Sequence, residues 1–217
     1  MTKSEKLLKL TTLSIEEGQR INDILITDPS VTSNITNCLR AYTRNKAIKL
    51  EELDTNIYLY KYGDKINGSY FAININTNQI LYFVKYYSKT YLNLFNNTVR
   101  GTMTFRLSSE PALSRISTKI FFTYLLNEYD VVTSDAQETL NGERVWQGLI
   151  TDALSNASKY DVYAFNCNTR KVSKITNALD PLIKTVWGPD HKHQGIRAAI
   201  AHRITPCLAS GQAALHG

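Results

Sequence analysis

A mixed α/β fold is predicted from three observations. Residues 57–62 alternate apolar and polar side chains and open a run of short strands separated by Gly/Asn turns. From Arg100 to Ile175 the chain reads strand, loop, apolar helix, short buried strand, amphipathic helix, strand. Helical apolar spacing precedes both regions, at residues 3–26. The chain has 217 residues, 43% of them hydrophobic and 20% charged, so it is long and apolar enough to bury a core.

Leu7, Leu10, Leu13 (or Ile15), Ile21, Ile24 and Leu25 recur at helical spacing. Ser14 with Glu17 forms a capping box, in which each side chain satisfies a backbone N–H at the helix start. A helix over about Ile15–Ile26 follows, stopped at Asp28-Pro29. A second short helix is expected around Ile35–Arg44. Residues 36–50 hold Arg40, Arg44, Lys46 and Lys49 and no carboxylate. That run marks a candidate nucleic-acid surface, although its commonest meaning is solubility.

Ile57 and Leu59 fall on one face of the next strand, and Tyr58, Tyr60 and Tyr62 on the other. Gly63-Asp64 and Asn67-Gly68 are turn signals, the second a hairpin signal. Tyr70–Ile75, Gln79–Tyr87, Thr90–Phe95 and Val99–Ser108 read as further strands, making a tyrosine-rich antiparallel meander. Tyrosine stripes of this kind usually pack a sheet surface.

Ser117 is a credible cap for an apolar helix over Thr118–Asn127. Asp130–Ser134 reads as a short buried strand. Val145, Trp146, Leu149, Ile150, Ala153 and Leu154 form one apolar stripe on a helix over Asn141–Ser155, where Trp146 packs into the core. Strands at Asp161–Asn166 and Lys171–Ile175 follow. Residues 178–217 contain Pro181, Pro189 and Pro206 and show no strong strand. They read as a tail with one short helix around Gly195–Arg203.

The order from Arg100 to Ile175, with KIFFTYLLNEYDVVTSDAQETLNGERVWQGL at Lys119–Leu149, resembles the second half of a GNAT-type N-acyltransferase fold. It is especially similar to the acetyltransferase-like proteins of bacteriophages. The resemblance covers residues 50–177, between an N-terminal helical segment (1–49) and a C-terminal tail (178–217). It implies a mixed sheet with an antiparallel N-terminal meander and two helices after the central strand. The implied activity is transfer of an acyl group from acetyl-CoA to an amine.

In that family a splayed strand leads into a loop of pattern Arg/Gln-x-x-Gly-x-Gly/Ala, and loop N–H groups hold the coenzyme pyrophosphate. Here the strand falls at Thr102–Leu107 and the loop at Ser108–Ile116. The implied coenzyme-binding residues are Arg106, Ser114, Arg115, Ser117, Thr118 and Lys119. The loop departs from the pattern in having no glycine, and Glu110 would repel a phosphate. An equally open alternative is therefore a scaffold that lacks the coenzyme and serves as a phage accessory protein, binding a host protein or nucleic acid.

Acid–base candidates are Asp135, Glu138, Glu143 and Tyr163, with Asp135 and Tyr163 taken as the catalytic pair. Asp135 would also serve as a helix cap. His191, His193, His202 and Cys207 suggest a metal at first sight, but solvated histidines are the expected reading and no metal centre is predicted. Cys38, Cys167 and Cys207 lack CxxC spacing, which leaves neither a zinc knuckle nor a disulfide framework. No signal peptide or membrane span is expected, and the predicted location is cytoplasmic.

Overall fold

The computed structural model describes residues 29–88, 98–106, 110–134, 140–187 and 195–203, which form a mixed α+β structure. The chain divides into two compact units. One combines Met1–Lys85 with Met103–Ser114, the other Tyr86–Thr102 with Arg115–Gly217. The predicted helix over Ile15–Ile26 and the strand over Thr90–Phe95 lie outside the described residues.

In the first unit, α1 spans Pro29–Thr43. Pro29 starts this helix, because a first-turn residue needs no N–H donor. Ile35, Cys38, Leu39 and Ala41 form its buried stripe. Its end is a Schellman motif: Lys46 N–H donates to the Ala41 carbonyl (2.8 Å) and Asn45 N–H to that of Tyr42 (3.0 Å). Asn45 takes the left-handed conformation this cap requires, at φ 53°.

Four strands follow, in the order β1-β2-β3-β4: β1 (Ile48–Asp54), β2 (Ile57–Gly63), β3 (Asn67–Asn74) and β4 (Gln79–Ser88). The β1/β2 and β2/β3 pairs are antiparallel. Ile57 and Leu59 are buried, in keeping with the alternation along β2. Tyr60 lies opposite Phe71 and stacks on it, with ring centroids 5.6 Å apart. Tyr42 of α1 meets Tyr60 edge-on at 5.3 Å, so α1 covers the tyrosine face at Tyr60.

The sequence reading has no strand at 48–54. Register shifts at Lys49/Glu51 and Glu52/Asp54 interrupt the period-two pattern there and hide β1. The β2–β3 turn sits at Asp64–Ile66, just before the predicted Asn67-Gly68 signal. Asp64 Oδ1 accepts the Ile66 and Asn67 N–H groups at 2.7 and 2.9 Å. Gly63 has φ 104°, and a Cβ there would meet the Asn67 carbonyl oxygen at 2.3 Å.

The second unit takes the strand order β5-β6-β9-β7-β8, with β5 (Thr98–Arg106) entering it through Thr102. β6 is Val131–Thr133, β7 Tyr160–Asn166, β8 Val172–Ile175 and β9 Ile196–His202. β5 and β6 run parallel; the β6/β9, β9/β7 and β7/β8 pairs are antiparallel. Helix α2 (116–128) lies between β5 and β6 in sequence, α3 (Leu140–Ser155) between β6 and β7, and α4 (Pro181–Trp187) between β8 and β9.

Helix α2 is continuous but changes pitch. Ile116–Lys119 is α-helical, Ile120–Leu125 is wound as a π-helix, and Leu126–Glu128 returns to α. The Leu126 N–H consequently donates to the Phe121 carbonyl, five residues back. Ile116, Ile120, Phe121, Leu125 and Leu126 are buried. On α3 the stripe Trp146, Leu149, Ile150 and Ala153 is buried, and the Trp146 ring meets Phe121 edge-on at 5.5 Å. Trp146 is thus a core residue joining the two helices.

The predicted helix at Gly195–Arg203 is corrected to strand β9, which sits between β6 and β7. Its sequence, IRAAIAH, favours helix by propensity. Pairing on both sides outweighs that preference, and small side chains suit a buried central position: Ala198, Ala199 and Ala201 are at most 1% exposed. Likewise α2 begins at Ile116, so Ser117 is its second residue and not its cap.

Candidate functional site at the start of helix α2

Leu113 is buried and closes a single turn over Pro111–Leu113, in which Ser114 N–H donates to the Pro111 carbonyl at 2.9 Å. Arg115 then takes the left-handed conformation (φ 57°, ψ 18°) and stands as the N-cap of α2. Its side chain cannot accept a hydrogen bond and makes no capping bond to the first turn. First-turn N–H groups and the helix dipole therefore make this end electropositive.

A carboxylate from α3 answers that charge. Arg115 Nη2 donates to both oxygens of Asp152, at 3.0 and 3.1 Å, and the Thr118 hydroxyl donates to Asp152 Oδ2 at 3.2 Å. The Arg115 side chain is 72% exposed and that of Asp152 30%, so this is a surface ion pair. Pairs of this kind contribute about 0–1 kcal/mol. Of the predicted coenzyme-binding residues, Arg115 and Thr118 are brought together on one acceptor, while Ser117 is half-buried and Lys119 exposed. Ser114 precedes the helix as an exposed residue of the turn. Arg106 is the last residue of β5, and its side chain lies outside those described. Asp152 was not foreseen, since 37 residues separate it from Arg115.

The acid–base candidates fall elsewhere. Asp135 and Glu138 lie outside the described residues. Glu143 accepts from Gln147 Nε2 at 2.9 Å on α3. Tyr163 donates to Asp161 Oδ2 at 3.3 Å, and Lys174 Nζ lies 2.7 Å from Asp161 Oδ1. Side chains alternate along β7, and this row occupies the opposite face from Tyr160. Tyr160 packs on Phe122 of α2 at 4.8 Å and on the paired His202, whose Nε2–H donates to the Leu126 carbonyl at 2.9 Å. Helix α2 thus covers the Tyr160 face, and Tyr163 points away from it.

Ser134 is buried and extends the β6/β9 pairing. Its N–H donates to the Ala198 carbonyl (3.0 Å) and its Oγ accepts the Ala198 N–H (3.1 Å). Arg197 is 9% exposed and donates from Nε to Cys167 Sγ at 3.2 Å. His202 is the only member of the His/Cys group 191, 193, 202 and 207 among the described residues, where no cluster able to hold a metal ion occurs. No helix among those residues is long and apolar enough to cross a membrane.

Compared with known proteins, the chain matches no family model, no curated protein and no solved structure.

Proposed function

We propose that this chain is a GNAT-type acyltransferase-like protein whose coenzyme pyrophosphate is held at the start of α2. The left-handed Arg115 carries the reading. A non-glycine residue in this conformation costs about 1–2 kcal/mol, and such strain concentrates at functional sites. Where the family pattern uses glycines to shape the loop, Arg115 reaches a glycine-like conformation itself and adds a guanidinium. The parallel β5/β6 pair on either side of α2 adds support. That pairing runs from Thr98↔Val131 to Arg100↔Thr133 among the described residues, while β5 continues to Arg106.

Against the repulsion from Glu110, the residues at the start of α2 offer a pyrophosphate both charge and donors. Arg115 and Lys119 supply positive charge, Thr118 a hydroxyl, and the first turn its N–H groups. Because the Asp152 ion pair is worth no more than about 1 kcal/mol, a doubly charged ligand can take over its donors. Bound acetyl-CoA supplies a thioester-activated acyl group open to direct attack by an amine. Tyr163 is assigned no proton-transfer role in this reading, because its hydroxyl lies on the face away from α2.

A second reading is a coenzyme-free scaffold acting as an accessory protein that binds a host protein. The three contacts of Asp152 favour it, because they satisfy Arg115 and Thr118 without a ligand. Thermal unfolding with acetyl-CoA separates the two. A ligand at about 100 times its Kd adds about 2.7 kcal/mol, a shift of a few degrees for a chain of this size. The first reading expects that shift, a larger one for Asp152→Asn, and none for Arg115→Glu. Absence of any shift in both the parent and Asp152→Asn would establish the second.

A further inference from the structure

We infer that the corner where α1 meets β1 binds single-stranded nucleic acid, a property independent of acyl transfer. Arg40, Arg44, Lys46 and Lys49 are all exposed. Among the described residues none of the four pairs with a carboxylate. The C-terminal half-charge of α1 and the exposed carboxylate of Glu52, which lies opposite Tyr58 and interacts with it, balance part of this charge and leave a net of about two to three facing solvent. The Schellman motif fixes the course of the backbone between Arg40 and Lys46, so these cations are presented on a rigid corner.

Aromatic rings share this surface. Lys49 lies opposite Tyr60 in the β1/β2 ladder and therefore projects on the tyrosine face of β2. Its Nζ sits 3.6 Å from the centroid of the Tyr58 ring, and Tyr62 on the same face is 36% exposed. Tyr42, in the last turn of α1, is held against Tyr60 between them. Cations beside the exposed Tyr62 and the half-buried Tyr58 combine the two requirements of single-strand binding, charge for the phosphates and a ring for the bases. A protein partner fits less well, since it needs an apolar centre and, among the described residues, Ile48 is the one large aliphatic side chain exposed beside the cations.

Fluorescence anisotropy with a labelled 20-mer of deoxythymidine tests the inference on the full chain. Four phosphate contacts predict that affinity falls about 50-fold between 50 and 200 mM salt. Replacing Arg40 and Arg44 together by alanine should weaken binding and roughly halve the salt slope, whereas Arg40→Lys with Arg44→Lys should retain most of both. Lys159→Ala with Lys171→Ala, two exposed cations of the second unit, should change nothing. Tyr62→Ala should weaken the single strand and leave a duplex of equal length unaffected. The inference is overturned if no binding occurs at 50 mM salt, or if the two pairs of alanine substitutions weaken it equally.

Discussion

Arg115 combines a strained backbone with a displaceable ion pair, and the two effects can be separated by substitution. Arg115→Gly relieves about 1–2 kcal/mol of left-handed strain and loses an ion pair worth about 0–1 kcal/mol, so the variant should be as stable as the parent or up to about 2 kcal/mol more stable. Arg115→Val keeps the strain, worsens it by β-branching and loses the pair, and should cost about 1–2 kcal/mol more than glycine. Urea unfolding of the two variants measures the difference. Cys38 is the contrasting case. It is 1% exposed, and burial pushes its thiol up to about 12 despite a hydrogen bond with Ser69. Only thiolate reacts with disulfide reagents, so Cys38 should resist labelling at pH 8 until the chain is unfolded. Labelling of the native protein at that pH, located by mass spectrometry, would refute the assignment.

Docking of α3 on α2 depends on Trp146 meeting Phe121. Trp146→Ala leaves a large cavity in that contact and should cost about 3–5 kcal/mol in chemical denaturation. Strand β9 should fail in the opposite way, by overfilling. Ala199 is fully buried and lies opposite Thr133 on one side and Tyr163 on the other. Ala199→Leu should therefore destabilise by about 1–3 kcal/mol even though leucine is more hydrophobic. Entry into β9 has its own constraint. Gly195 has φ 74°, its carbonyl accepts the Cys167 N–H at 2.7 Å, and an added Cβ would lie 2.9 Å from Asn168 Nδ2. Gly195→Ala should therefore cost measurable stability in urea unfolding, and an unchanged value would show that the turn accommodates a side chain.

For the molecule as a whole, alkaline pH tests how tightly the first unit holds its protons. Burial raises Cys38, and the same cause is the largest at Tyr58 and Tyr60, aided by Glu52 at Tyr58 and by neighbouring tyrosines at Tyr60. Each group keeps its proton in the folded state at a pH where the unfolded chain has already lost it. The stability they confer is complete below their ordinary pKa values and declines as pH rises through the folded ones. Unfolding free energy should then fall from about pH 9, the ordinary value for Cys38, toward about pH 12. Cys38→Ala should flatten the lower part of that decline, and an unchanged profile would show that the thiol is not protected. Asp64 works at the other end of the scale. Backbone N–H donors from Asn67 and Ile66 hold its carboxyl below the usual range, so its contribution to the β2–β3 turn is present at neutral pH and lost in acid.

From sequence alone the period-two run at Ile57–Tyr62, the apolar stripe from Trp146 to Ala153 and the branched residues of Val131–Thr133 determined the strands and helix that now bear those side chains. Each is a local pattern, repeated often enough to survive without knowledge of its neighbours. Tertiary structure alone decided the rest. Strand β1 is invisible because bulges break its alternation, and β9 is strand only because β6 and β7 pair with it on both sides. Arg115 was legible as a cation in a loop, but its left-handed backbone and its link to Asp152 were not. Asp152 reaches it because α3 packs beside α2 through Trp146, a contact between residues far apart in the chain. Local periodicity is written in adjacent residues, whereas register, central-strand slots and long-range ion pairs exist only once burial has chosen which surfaces meet.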